Sequence, residues 1–279
     1  MTSQALQEVV ALLGCPAAGN PAQYLFERAI AAAGLDWRFV TFDVQPEQLS
    51  AALAGVQAMG FRGCLLSGPL QALAPPALLS LSPTASFSGA ASLIERTPEG
   101  LAGHMTLGRG LATALRGHTD LDGARILLAG AGATGRAAAL ELALAGAAEI
   151  LLCDPDPARA AALVEAIGAL NSPALAALVP WHTALEIPER VGIVVSALPV
   201  EGSSLTCSFS GLRNSIVVAD CALVGQPSAA VAAGLKAGAC VIDGLEIHCE
   251  KTAIDFQTLT GSETDIEMLH EALDEFLSA

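Results

Sequence analysis

Apolar positions along the first hundred residues recur with two alternating periods. VVALLG (9–14), WRFVTFDV (37–44) and GCLLS (63–67) are short apolar or β-branched runs that read as strands. Between them, PAQYLFERAIAAAGL (21–35) and PEQLSAALAGVQAMG (46–60) carry helical spacing, with a proline near each start and a glycine near each end. This β-α-β-α-β alternation predicts a parallel sheet covered by helices. Residues 68–100 are rich in Pro, Ser and Ala, and PPALLSLSP predicts a short helix among loops. LGRGLATALRG (107–117) predicts another helix, and HTDLDG a connector.

A second β/α run opens at Ala124. ARILLA, EILLCD, GIVVSALP, IVVADCAL and ACVIDG are five strand candidates separated by Ala-rich helices. After Asp243-Gly244 only helical patterning remains, in LEIHCEKTAIDFQTLTG and ETDIEMLHEALDEFLS. The predicted class is α/β with two α/β domains, and the boundary between them is expected near residues 100–122.

Composition agrees with that pattern and removes several functions. A chain of 279 residues, 53% hydrophobic and with 27 glycines, suits two cores of helices packed closely on buried sheets. The formal charge of −15 opposes nucleic acid, which needs a basic surface, and an anionic membrane face. Apolar runs are interrupted well before the ~20 residues of a membrane span, and the N-terminus lacks a basic-then-apolar leader. Seven scattered cysteines form neither a disulfide framework nor a zinc pattern, so no metal is expected. A cytoplasmic protein, monomer or homodimer, is the resulting expectation.

The strongest local signal is Gly130-Ala131-Gly132-Ala133-Thr134-Gly135, a G-x-G-x-x-G pattern. Its context gives it weight: it follows the strand ARILLA, opens the helix RAAALELALAG and precedes a second strand ending at Asp154. Gly130 suits the tight turn, Gly132 a close approach of backbone to pyrophosphate, and Gly135 close helix–strand packing. The first-turn N–H groups, including those of Ala133 and Thr134, then face the phosphates. Asp154 is placed for the adenosine ribose hydroxyls. Pro155-Asp156 follow, with no arginine until Arg159, so NAD is expected rather than NADP; Arg136 is the one residue that blunts this.

The order of these pieces resembles the shikimate/quinate dehydrogenase family over nearly the whole chain. The residues that carry the resemblance are GLDWRFVTFDVQPEQL (34–49), GFRG (60–63), GAASLI (89–94), GAGATGRA (130–137), SALP (196–199), VVAD (217–220) and DGLE…F…LTG (243–261). The resemblance implies an N-terminal substrate domain over 1–104, a Rossmann domain over 105–244, and final helices over 245–279 that return to the first domain. It implies an NAD(P)-dependent oxidoreductase whose pocket lies in the cleft between domains. Ala197 and Gly244 join the expected cofactor contacts. CDPDPARA (153–160) is similar to the NAD-preferring, quinate-type branch.

The pocket departs from the family. The motif N-V-T-I-P-H-K aligns with Leu65–Gln71, so Gln71 stands at the lysine position; N-T-D-G aligns with Met105–Gly108, so Leu107 stands at the aspartate position. The two serines that hold the substrate carboxylate in the family fall at Asn20 and Ala22, a ring-hydroxyl asparagine becomes Ser92, and a tyrosine becomes Leu223. Ser67 and Thr106 keep their hydroxyls. Ser67, Gln71, Ser92, Thr106 and Asn20 are the expected substrate contacts. Gln71 cannot titrate, so another group must exchange the proton.

The chain has two lysines, and Lys251 aligns with a family glutamine that projects towards the substrate. Lys251, with His248 three residues earlier on the same helical face, is one candidate; the alternative makes it a solvated residue paired with Glu250 or Asp255. His104, beside the lost aspartate, is a second candidate base. Three functions stay open: a dehydrogenase of shikimate/quinate type acting on an altered hydroxy acid, a hydroxylated cyclic carboxylate or analogue; a nucleotide-binding pseudoenzyme or sensor without turnover; and a different chemistry on the same fold, such as an imine substrate.

Overall fold

A computed structural model describes residues 7–199, 207–224 and 226–278. The chain divides into two compact units, one made of 1–106 with 251–279 and the other of 107–250. The divisions stand at 106/107 and 250/251, against the expected 104/105 and 244/245.

In the first unit, β1 (Glu8–Gly14), α1 (Ala22–Ala32), β2 (Trp37–Asp43), α2 (Leu49–Ala58) and β3 (Gly63–Leu66) follow the predicted alternation. Next come α3 (Leu70–Leu73), β4 (Ser80–Leu81), α4 (Pro83–Ser88), β5 (Leu93–Arg96) and β6 (Leu101–His104). The six strands lie in the order β2-β1-β3-β5-β6-β4. The three strands of the predicted alternation are parallel as expected, β1 pairing with β2 and β3, while the unpredicted β5 runs antiparallel to both β3 and β6 and makes the sheet as a whole mixed. Strands of two to four residues amid Ser and Pro are too short to display a period, which is why 68–100 read as a short helix among loops.

Leu13, Leu53, Leu66 and Ile94 are buried in the core on this sheet. Gly63 is required where β3 meets β5, because a Cβ there would lie 2.1 Å from the Ile94 carbonyl oxygen.

The second unit opens with α5 (Leu107–Arg116) and continues β7 (Arg125–Ala129), α6 (Ala133–Leu144), β8 (Glu149–Cys153), α7 (Pro157–Gly168), β9 (Leu175–Leu178), β10 (Ala184–Glu186) and β11 (Ile193–Ser196). β12 (Ser208–Ser210), β13 (Val217–Asp220), α8 (Ala229–Lys236) and β14 (Cys240–Ile242) complete its strands and helices apart from the start of α9 (Gly244–Thr260). All neighbours in the main sheet are parallel, in the order β14-β13-β11-β7-β8-β9. Counted from β7, with β10 and β12 set aside as a separate pair, this is the doubly wound order 3-2-1-4-5-6.

β7, β11 and β13 are nearly continuous apolar runs because both faces are covered. The sixth strand, β9, was not predicted. Its sequence LAAL has no β-branched residue, and as an edge strand it leaves Leu175 and Leu178 exposed.

α9 carries the chain from the second unit back into the first, and α10 (Ile266–Ser278) ends it. The returning helices pack on the first unit, as the resemblance implies. The Phe256 ring lies 5.9 Å from that of Phe26, which in turn lies 5.0 Å from Phe39. Phe256 is fully buried, which contributes about 2–3 kcal/mol. Tyr24 and Arg28 on α1 both donate to Glu275 on α10. Among the described residues no helix is long and apolar enough to cross a membrane.

Candidate active site

The second unit holds a backbone cradle at the C-terminal end of β7. Gly130 has φ +106°, and a Cβ on it would stand 2.6 Å from the Ala197 carbonyl oxygen. Gly135 is tighter still, since a Cβ would stand 1.9 Å from the Gly130 oxygen. Gly132 has no atom within 4 Å of its Cβ position, so the space beside it is open. It also caps α6 without a side-chain bond, leaving first-turn N–H groups for a ligand. Ala197, whose N–H donates to Ala129, follows β11, the strand beside β7 where strand order reverses. Turn, open approach and helix start therefore fit a dinucleotide pyrophosphate.

Asp154, 5% exposed, accepts from the Ala131 N–H at 2.7 Å and the Asp156 N–H at 2.8 Å. A carboxylate retains further lone pairs for ribose hydroxyls. Asp156 caps α7 through the N–H groups of Ala158 and Arg159. The Arg159 guanidinium lies 3.9 Å from Asp154 and 3.6 Å from Asp156. This qualifies the sequence reading, because one helical turn brings Arg159 beside both carboxylates. Gly244, another expected cofactor contact, opens α9 where a Cβ would meet the Ala222 oxygen at 1.9 Å. It is therefore also a packing glycine.

The first unit holds a buried polar chain. Lys251 pairs with Asp255 one turn later on α9, with side-chain exposures of 13% and 0%. The other oxygen of Asp255 accepts from the Thr106 hydroxyl at 2.6 Å. Thr106 and Ser92 hydroxyls lie 3.2 Å apart, and the Thr106 N–H donates to Ser92 Oγ. Since Thr106 gives its proton to Asp255, Ser92 must donate to Thr106. The direction of every bond is thereby set. Burial without partners would cost several kcal/mol, so the cluster is stable only as a complete set.

The expected substrate contacts occupy varied places. Ser92 and Thr106, at 1% and 3% exposure, support the lysine from beneath instead of facing solvent. Gln71 donates one of its two amide N–H groups to the Leu66 carbonyl at 2.8 Å, which ties the side chain to the end of β3. It remains close to the cluster, for the Ala91 N–H donates to Gln71 and the Leu66 N–H to Ser92. Ser67 follows Leu66, its Oγ 2.8 Å from a Cβ built on Gly14. Asn20 turns its side-chain oxygen to the Ala22 N–H at the start of α1.

His104, the second candidate base, has Nε2 3.1 Å from Glu95 Oε2. His248, in the second unit, has Nε2 3.3 Å from the Cys221 carbonyl oxygen.

A family model described as the shikimate dehydrogenase substrate binding domain matches residues 12–94. The shikimate dehydrogenase (NADP(+)) of Moorella thermoacetica is 29% identical over 97% of this chain and 94% of its own. Shikimate 5-dehydrogenase from Listeria monocytogenes, solved with shikimate and NAD, has a TM-score of 0.84 at 25% identity, covering 95% of this chain and 96% of that one.

The chain is thus similar to shikimate dehydrogenases over nearly its whole length. Within this fold, the ligand-free 5-ketofructose reductase of Gluconobacter sp. strain CHM43 has a TM-score of 0.90 at 25% identity, covering 97% of this chain and 99% of that one. Leu107, expected at the aspartate position, is buried.

What sequence reasoning missed is Asp255 as the centre of the cluster. The i,i+4 spacing in KTAID signals a lysine–carboxylate pair but gives no sign of its burial.

Proposed function

We propose that this protein is a dehydrogenase or reductase of a small polyhydroxylated substrate, with Lys251 as the proton-exchanging group. The observation that supports this reading is the chain Lys251–Asp255–Thr106–Ser92, a lysine–carboxylate pair buried in the unit that matches the substrate binding domain. An ammonium carries three N–H donors. Asp255 takes one from Lys251 and fixes the direction of the side chain, and another is left for a substrate oxygen.

In reduction, Lys251 Nζ gives a proton to the carbonyl oxygen as that oxygen gains negative charge; in oxidation it receives the hydroxyl proton. Asp255, held by Thr106, keeps the lysine side chain in place throughout. The nicotinamide, when bound, supplies or accepts the hydride.

The substrate in this reading is a secondary alcohol or ketone with neighbouring hydroxyls, a hydroxylated cyclic acid or an analogue without the acid. Asn20 and Ala22 at the family's serine positions support the analogue, as does the likeness to a protein named 5-ketofructose reductase. NAD is the cofactor proposed, because Asp154 and Asp156 set two carboxylates against one guanidinium where a 2′-phosphate would lie. The competing NADP reading draws on Arg159 itself and on the NADP(+) in the name of the Moorella relative. A second reading of the function, a dinucleotide-binding protein without turnover, is favoured by the commitment of the Gln71 amide to Leu66.

The test follows absorbance at 340 nm with NAD(H) and NADP(H) against shikimate, quinate and 5-ketofructose. Parent, Lys251→Met and Lys251→Arg proteins are compared. The arginine keeps the charge and the carboxylate partner but cannot release a proton near neutrality. Turnover in the parent, lost in both variants while NADH still binds, is the expected result. Equal turnover in Lys251→Arg removes Lys251 from the chemistry, and NADH binding without turnover on every substrate supports the second reading.

A further inference from the structure

Cys240 is the one exposed cysteine of the seven; Cys15 is partly exposed and the other five are buried. Its Sγ lies 3.6 Å from Nδ1 of His118. The opposite ring nitrogen, Nε2, lies 2.8 Å from Oε1 of Glu246. A carboxylate accepts only, so Nε2 carries the ring proton and donates it to Glu246. Nδ1 of the neutral ring is then a lone pair aimed at the thiol. Nucleophile, base and orienting carboxylate stand in the order that activates a thiol.

The three residues come from separate places: His118 just past α5, Cys240 opening β14, and Glu246 in the first turn of α9. Asp243 accepts from the N–H groups of Leu245 and Glu246, which fixes the turn that presents the carboxylate. The group is remote from the glycine cradle within its own unit. Cys240 is in register with Val217, Val217 with Ile193, and Ile193 with Ile126 near the start of β7, whereas Gly130 follows the other end of that strand. The constellation is therefore separate from the dinucleotide site, and the proposed function does not use it.

We propose that Cys240, with His118 as base and Glu246 as positioning residue, is a thiol site for exchange with low-molecular-weight disulfides. The thiol proton moves from Sγ to His118 Nδ1. The thiolate attacks one sulfur of R–S–S–R, the Cys240–S–S–R bond forms as the original S–S bond breaks, and the leaving R–S⁻ takes the proton from His118. No external oxidant is needed beyond the disulfide itself. The other accessible thiol lacks this arrangement, since Cys15 faces the Gln45 amide oxygen at 3.8 Å. Burial pushes the Cys64, Cys153, Cys207 and Cys221 thiols up and away from reactivity.

The experiment exposes the intact protein to glutathione disulfide and follows each cysteine by peptide mass spectrometry. Parent, His118→Ala and Glu246→Gln proteins are treated alike, and unlabelled Cys64 and Cys221 certify the fold in every sample. The expected result is Cys240 modified about tenfold faster than Cys15, with that advantage lost in His118→Ala and reduced several-fold in Glu246→Gln. Cys240 modified no faster than Cys15 overturns the proposal, and so does a Cys240 rate unchanged by His118→Ala. Neither outcome depends on turnover with a nicotinamide cofactor.

Discussion

Gly130, Gly132 and Gly135 make their site within one turn of chain, whereas Thr106 and Asp255 meet across 149 residues. The first site is backbone: its shape comes from residues that lack side chains, beside a strand order that recurs in many proteins. The second is side chain, built from a loop before β5, the second residue after β6 and the middle of α9. A backbone site tolerates no added atoms at its packed positions but accepts them where it faces ligand. A side-chain site tolerates changes made in pairs and resists single ones. Substitutions in the two regions should fail in correspondingly different ways.

The largest effect is expected in the first unit. Asp255→Ala leaves the Lys251 charge without its partner and should cost about 3–5 kcal/mol, read as a lower urea midpoint with unchanged slope. Lys251→Met should be similarly costly, because it strands Asp255. The double variant Lys251→Met/Asp255→Leu replaces both charges with apolar groups of comparable size and should recover most of the loss. Additive single and double costs would mean that the two side chains do not act as a pair.

The next effect separates two glycines three residues apart. Gly135→Ala forces a methyl group against the Gly130 carbonyl oxygen and should cost about 1–3 kcal/mol along with dinucleotide binding. Gly132→Ala meets nothing within 4 Å, so stability should stay within about 0.5 kcal/mol of the parent. Its methyl group nevertheless occupies the pyrophosphate approach, and NADH affinity measured by fluorescence titration should fall at least about tenfold. Normal NADH binding by Gly132→Ala would place the phosphates elsewhere.

The same contrast explains what could be read from sequence. The glycine cradle and the two-unit α/β class were legible because spacing and strand–helix alternation are local properties. The strands Leu93–Arg96, Leu101–His104 and Leu175–Leu178 were not, since none is long enough, or sufficiently β-branched, to show a period. Lys251 stood out by rarity and alignment. The role of Asp255 did not, because burial at 0% follows from the seating of α9 on the first sheet rather than from its neighbours in sequence. Arg159 was read as too distant from Asp154, although one turn of α7 brings it within 3.9 Å. The Cys240–His118–Glu246 group lay wholly outside sequence reasoning, as its members have no motif spacing.

The smallest predicted effect returns to the second unit, where one buried carboxylate has no basic partner to offset its burial. Asp220 ends β13, is 3% exposed, and accepts from the Ala222 N–H at 2.9 Å and the Ser228 hydroxyl at 2.5 Å. Burial raises its carboxyl above the ordinary range, and the hydrogen bonds oppose that only in part. A folded-state value above the unfolded one means that the native protein holds this proton more tightly. Its contribution to stability is therefore full below the unfolded carboxylate range and is lost as pH rises through the folded value. Asp220→Asn keeps an acceptor for Ala222 while removing the titration. Urea unfolding at pH 4 and pH 7 should show the parent losing stability relative to Asp220→Asn as pH rises. The opposite slope would mean that Ser228 and Ala222 hold the charge more strongly than burial opposes it, making this site, unlike the glycine cradle, one where polar partners determine the outcome.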